Sequence, residues 1–139
     1  MKKEGIISLL FIIAALYDGV LGVLFLFAGG SVFEWIQVTP PNHPGYMQFP
    51  AALLIVFALM FCAIARNPLL NKNLIPYGML LKVSYCGVVF FHWFAAGIPN
   101  MWKPFAILDL AFLGLFIWAY ASLREMTATS TPTRLTKSV

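Results

Sequence analysis

Four apolar runs, residues 6–28, 47–65, 74–98 and 104–123, each have the length a helix needs to cross a bilayer, about 20 residues. In hydrocarbon no water bonds to exposed backbone N–H and C=O groups, so each run is expected as an α-helix whose backbone satisfies itself. The runs use most of the 139 residues and leave too little chain for a sizeable soluble domain. At 61% hydrophobic and 10% charged side chains, the composition lies well above the roughly 45–50% apolar content of soluble domains. The predicted fold is all-α: one membrane domain over residues 1–125, a four-transmembrane-helix bundle with a short outer interfacial helix and loop after its first span.

The formal net charge of +4 would point to nucleic acid in a soluble protein, but here membrane topology accounts for it and no nucleic-acid partner is expected. With the N-terminus in the cytoplasm, Lys2, Lys3, Arg66, Lys72, Arg124, Arg134 and Lys137 all fall inside, while Lys103 alone flanks the outer face. By the positive-inside rule both termini are then cytoplasmic. The first run exceeds the 7–15 residues of a signal-peptide core, so it reads as a span and not as a cleaved leader. The last residues, 126–139, are rich in Thr and Ser with scattered basic side chains and are expected as a disordered cytoplasmic tail. Cys62 and Cys86 stand singly on different spans, and without a C-x-x-C pair no thiol relay is expected.

Gly29-Gly30 offers an end to the first helix. Ser31-Val32-Phe33-Glu34 then matches the S-x-x-E capping box, and residues 31–38 present Val32, Trp35 and Ile36 on one side, as a helix lying at the outer interface would. The stretch TPPNHPGY, residues 39–46, is too rich in proline to continue a helix and forms the largest external feature. Phe33, Trp35, His43 and Tyr46 make this region a lid or partner-docking surface, with a plain tether as the alternative. Pro50 is expected in the first turn of the second span, Asn73 as cap of the third with Pro76 in its opening turn, and Lys103-Pro104 opening the fourth. Short connections make spans two, three and four antiparallel neighbours.

Four ionisable side chains fall inside spans: Asp18, Lys82, His92 and Asp109. Such groups are costly in hydrocarbon and mark functional sites or paired polar interiors. Counting about 1.5 Å per residue places Asp18 near mid-bilayer and His92 and Asp109 toward the outer face, within reach of one shared pocket. On the third span Lys82, Tyr85, Cys86, Val89, His92 and Trp93 follow helical spacing along a single face, which should look into the bundle. Lys82 either snorkels to the inner face or rises to pair with Asp18; Asp109, about two turns from Lys103, bonds a lysine or a backbone donor, or serves a ligand. Gly19 and Gly22 beside Asp18 permit a neighbouring helix to come close, so Asp18 serves a packed polar contact or a ligand or proton site. No paired ligand spacing for a metal occurs, and two histidines on loop and span do not suit a haem. No cofactor is expected beyond a lipid or a quinone-like molecule.

The stretch Tyr17-Asp18-Gly19 with Gly22, the outer re-entry loop and three closely connected spans resemble the DoxX-like group of small four-helix membrane proteins, over residues 5 to 123. That resemblance implies an accessory role, in some members beside quinol-oxidising or thiol-stress systems, the second disfavoured here by the missing cysteine pair. A carboxylate in the first span is also similar to small multidrug transporters, whose loops are more compact. The expected function is an accessory subunit of a larger membrane complex, or a binder of a lipid or quinone-like molecule in a polar pocket of the outer half. The alternatives are a proton-coupled transporter using Asp18, as a homodimer, and a lipid-modifying enzyme with His92 and Asp109 as acid and base.

Overall fold

A computed structural model describes residues 2–129 and places them in four helices: α1 (Lys3–Trp35), α2 (Gly45–Arg66), α3 (Ile75–Ala95) and α4 (Trp102–Thr129). A 3-10 turn, Lys72–Leu74, precedes α3. All four are long and apolar enough to span a membrane. Their outward faces carry Leu16, Val20, Leu59, Leu80 and Val88, all exposed, which a bilayer and not water accommodates. The chain is a small all-helical integral membrane protein, a four-helix bundle.

Where the helices end differs from the sequence expectation in instructive ways. α1 does not stop at Gly29-Gly30, and the separate interfacial helix with its Ser31 cap does not form. Gly29 serves a close contact instead: a Cβ there would lie 2.3 Å from the Met47 side chain. About one turn further on, Phe33 is 4% exposed and packs on Phe25 and Trp102, which draws the helix on through residues of weak propensity. At about 1.5 Å per residue, the 33 residues of α1 run to about 50 Å, so its ends stand beyond a hydrocarbon core of about 30 Å. The chain finally turns at Gln37, whose φ of 55° is left-handed. Val38 N donates to Phe33 O (3.0 Å) and Gln37 N to Glu34 O (3.2 Å), the two reversed bonds of a Schellman closure.

α2 starts at Gly45, so Tyr46 is helical and Pro50 sits inside the helix, beyond its first turn. The His43 Nδ1 accepts the Gly45 N–H at 3.0 Å and steadies that start. Asn73 is not the cap of α3; Leu74 occupies that position without a side-chain bond, although Pro76 does lie in the opening turn. α3 ends at Ala95, three residues short of the expected limit, and Gly97 turns the chain at φ 83°. Residues 126–129, expected in the tail, continue α4; the rest of that tail, 130–139, lies outside the described residues.

The helices pack chiefly as two hairpins, α1 on α2 and α3 on α4, and not as an even run of α2, α3 and α4. Small residues explain the first pairing: a Cβ on Gly22 would stand 2.8 Å from Ala51 O, and one on Gly19 would meet the Ala58 Cβ at 3.4 Å. Between α2 and α3 the Phe61 ring fills the space over Gly78 and holds the backbones apart. Around that ring, at the end of the bundle bearing both described termini, the core is solid. Phe11, Phe61 and Phe116 meet with centroids 4.7 to 5.8 Å apart, Phe11 stacked on Phe116 and Phe61 edge-on to it, enclosed by Ile7, Ile64, Ile75 and Leu123, all without exposure. Polar clasps close the same end: Ser8 Oγ donates to Ala65 O, Asn71 Nδ2 to Ala63 O (2.8 Å), and Lys72 Nζ to Thr127 Oγ1 (2.6 Å).

Candidate functional site

Midway along the bundle three ionisable side chains from three helices meet. Asp18 on α1 and Lys82 on α3 are each 1% exposed, and Asp109 on α4 is 6% exposed. Lys82 Nζ donates to both Asp18 oxygens, at 2.8 and 3.1 Å. It also lies 3.0 Å from Asp109 Oδ1, yet out of line for a hydrogen bond, so that buried oxygen accepts none. The ammonium is further flanked by the Tyr17 ring at 5.1 Å and the Phe112 ring at 5.5 Å, whose faces favour a cation. Two carboxylates against one lysine leave a formal charge of −1 in a low-dielectric interior.

Above this triad, toward the 36–44 loop, the helices diverge around a cavity of about 380 Å³. Asp18, Asp109, Tyr17 and Tyr85 form its deep end. Its walls are apolar, from Leu21 and Phe25 of α1, Ala51 and Leu54 of α2, Leu81 of α3 and Phe105 of α4. Phe33, Pro41, Tyr46 and Trp102 border its loop end. Lys82 does not line the space; it stands behind the carboxylates. Tyr85 donates to Trp102 O at 3.2 Å and the Cys86 thiol to Ala106 O at 3.4 Å, fixing α4 against α3 beside the cavity. An apolar space of this size, ending in a few convergent polar groups, has the form of a small-molecule site.

Of the residues expected in the polar core, Asp18, Lys82, Tyr85 and Asp109 come together. His92 does not: it is exposed, faces Phe91 with ring centroids 5.3 Å apart, and lines no part of the cavity, so the expected pocket shared with Asp109 is not formed. The last turn of α3 therefore leaves the inward stripe while Lys82, Cys86 and Val89 keep to it. The lysine that Asp109 meets is Lys82 and not Lys103, whose ammonium bonds Asn100 Oδ1 at 2.7 Å and lies 4.9 Å from the Trp93 ring. At the loop end Trp35 is 85% exposed, and His43 and Tyr46 lie with rings 6.0 Å apart. Phe33 is not offered to a partner, being buried against the cavity. Among the described residues no group of three His, Cys, Asp or Glu side chains is placed to hold a metal ion.

Sequence reasoning missed the aromatic lining. Tyr17, Leu21 and Phe25 recur every fourth residue beside Asp18, and Trp102, Phe105 and Asp109 follow at three and four, so the signal was one of helical face. It was obscured because lipid-facing positions are equally apolar. No protein-family model, curated protein or solved structure matches this chain.

Proposed function

We propose that this protein binds a lipophilic small molecule, lipid-like or quinone-like, with its polar head at Tyr17, Tyr85 and the Asp18–Lys82–Asp109 triad and its apolar body toward the 36–44 loop. The observation that carries this reading is the cavity itself, apolar along its walls and polar only at its buried end. A site for a water-soluble solute would distribute polar groups along its length; here they converge at one point. The 36–44 loop then acts as a border that selects what enters, through Pro41 and the adjoining Tyr46. An accessory role in a larger membrane complex is compatible with this binding and would use the exposed Trp35 and His43. Proton-coupled transport through Asp18 alone fits less well, because Lys82 holds both of its oxygens.

The test is native mass spectrometry of the protein extracted gently from its own membrane, beside a Leu54→Trp variant that fills the cavity. A small lipophilic molecule should accompany the wild type and be lost from the variant while helical content is unchanged. An unaltered adduct on the filled variant would refute the site.

A further inference from the structure

Resting on that reading, we infer that the head group of the ligand is a primary ammonium, seated against Asp109, so that the pocket takes a lipid-like amine in preference to a quinone or a neutral lipid. Two features of the deep end ask for this chemistry independently. The first is charge. The titratable and charged groups around the deep end are Tyr17 and Asp18 from α1, Lys82, Tyr85 and Cys86 from α3, and Asp109 from α4; α2 contributes none. Among them one ammonium faces two carboxyl groups. Lys103 does not make up the difference, being turned to Asn100 and Trp93. One further positive charge is wanted, and either a proton or a ligand cation supplies it.

The second feature is direction. Lys82 spends its two aligned hydrogen bonds on Asp18, and Asp109 Oδ1, though 3.0 Å from the ammonium, accepts no hydrogen bond. That oxygen is held by Lys82 as an ion pair and is itself enclosed, so a ligand donor meets the carboxylate from the cavity side, where Asp109 lines the space, and a donor to a carboxylate is worth more than one to a neutral oxygen. Quinone carbonyls only accept: one would take the Tyr17 hydroxyl as its donor but would bring neither a donor nor a positive charge to Asp109. A quaternary ammonium brings the charge without an N–H. A primary ammonium brings both, and the Tyr17 and Phe105 rings beside Asp109 give its first methylenes an apolar and cation-tolerant surround.

The experiment compares three probes with the same tail, decylamine, decyltrimethylammonium and decanol, titrated calorimetrically at pH 7 into the full chain in neutral maltoside micelles. Decylamine should bind about tenfold or more tightly than either other probe, as a charge-assisted hydrogen bond implies. In Asp109→Asn that preference should vanish, and in Asp109→Glu it should persist. Equal binding of the three probes to the wild type overturns the amine and leaves the cavity reading standing, whatever the variants do. A preference retained in Asp109→Asn overturns the seat at Asp109. Absence of binding by all three overturns both this inference and the proposed function.

Discussion

The two ends of this bundle solve the same packing problem in opposite ways. At the end bearing the described termini, Phe11, Phe61 and Phe116 meet ring on ring and leave nothing between them. At the loop end Tyr17, Phe25, Trp102 and Phe105 surround a cavity of about 380 Å³. Both ends are rich in aromatic residues, so aromatic content does not decide which is solid. The difference lies at the level of the triad, where three charged side chains from three helices hold α1, α3 and α4 at a fixed spacing. Below it one ring, Phe61, closes the centre from α2; above it α2 offers Ala51 and Leu54, which are too small to do so.

The largest expected effect comes from removing the cation that divides the two ends. Lys82→Met leaves two buried carboxyl groups without a counter-ion and should lower stability by about 3–5 kcal/mol, read from unfolding in mixed micelles of sodium dodecyl sulfate. Adding Asp18→Asn and Asp109→Asn to it should restore most of the loss. A triple variant as unstable as the single one would mean that the lysine holds the bundle through something other than charge.

Next in size is the contrast between the ends themselves. Phe116→Ala opens a void in the solid core and should cost about 2–4 kcal/mol, somewhat below water-soluble cases because lipid, not water, is the reference. Phe105→Ala merely enlarges a space already present and should cost less than about 1 kcal/mol. Equal losses in the same unfolding assay would break the comparison.

Smaller again is a test of the α1–α2 contact. Gly22→Ala places a methyl 2.8 Å from Ala51 O and from the Ile55 side chain, with an expected cost of about 1–3 kcal/mol. Gly30→Ala meets nothing within 4 Å and should stabilise α1 by about 0.5–1 kcal/mol. Thermal midpoints moving in opposite directions would confirm that one glycine is there for packing and the other is not. The smallest effect is expected at Gln37→Gly, which relieves the left-handed φ of 55° and should raise stability by up to about 1 kcal/mol.

Much of the site was visible before the fold was known, and the manner in which it was visible explains what was not. Asp18, Lys82 and Asp109 stand out because charge inside an apolar run is rare and costly, a signal that needs no neighbour to be read. Tyr85 followed from helical spacing relative to Lys82. His92 shared the same spacing and nevertheless turned out exposed, because in the last turn of α3 it is the adjacent Trp93, under the Lys103 ammonium of α4, that takes the partly buried position. The aromatic lining was hidden because in a membrane helix the lipid side and the core side have similar composition.

The sequence by itself determined that the chain is helical and membrane-spanning, and roughly where each span lies. Length, apolar content and the need to satisfy the backbone in hydrocarbon are local properties that each segment carries alone. Only the tertiary structure decided that α1 runs through Gly29-Gly30 to Trp35, that Lys82 serves Asp18 and Asp109 together, and that a cavity opens over them. Those outcomes depend on the rotation and relative height of helices distant in sequence. Close contacts such as Gly22 with Ala51 and Phe61 with Gly78 set both, and no single segment contains them.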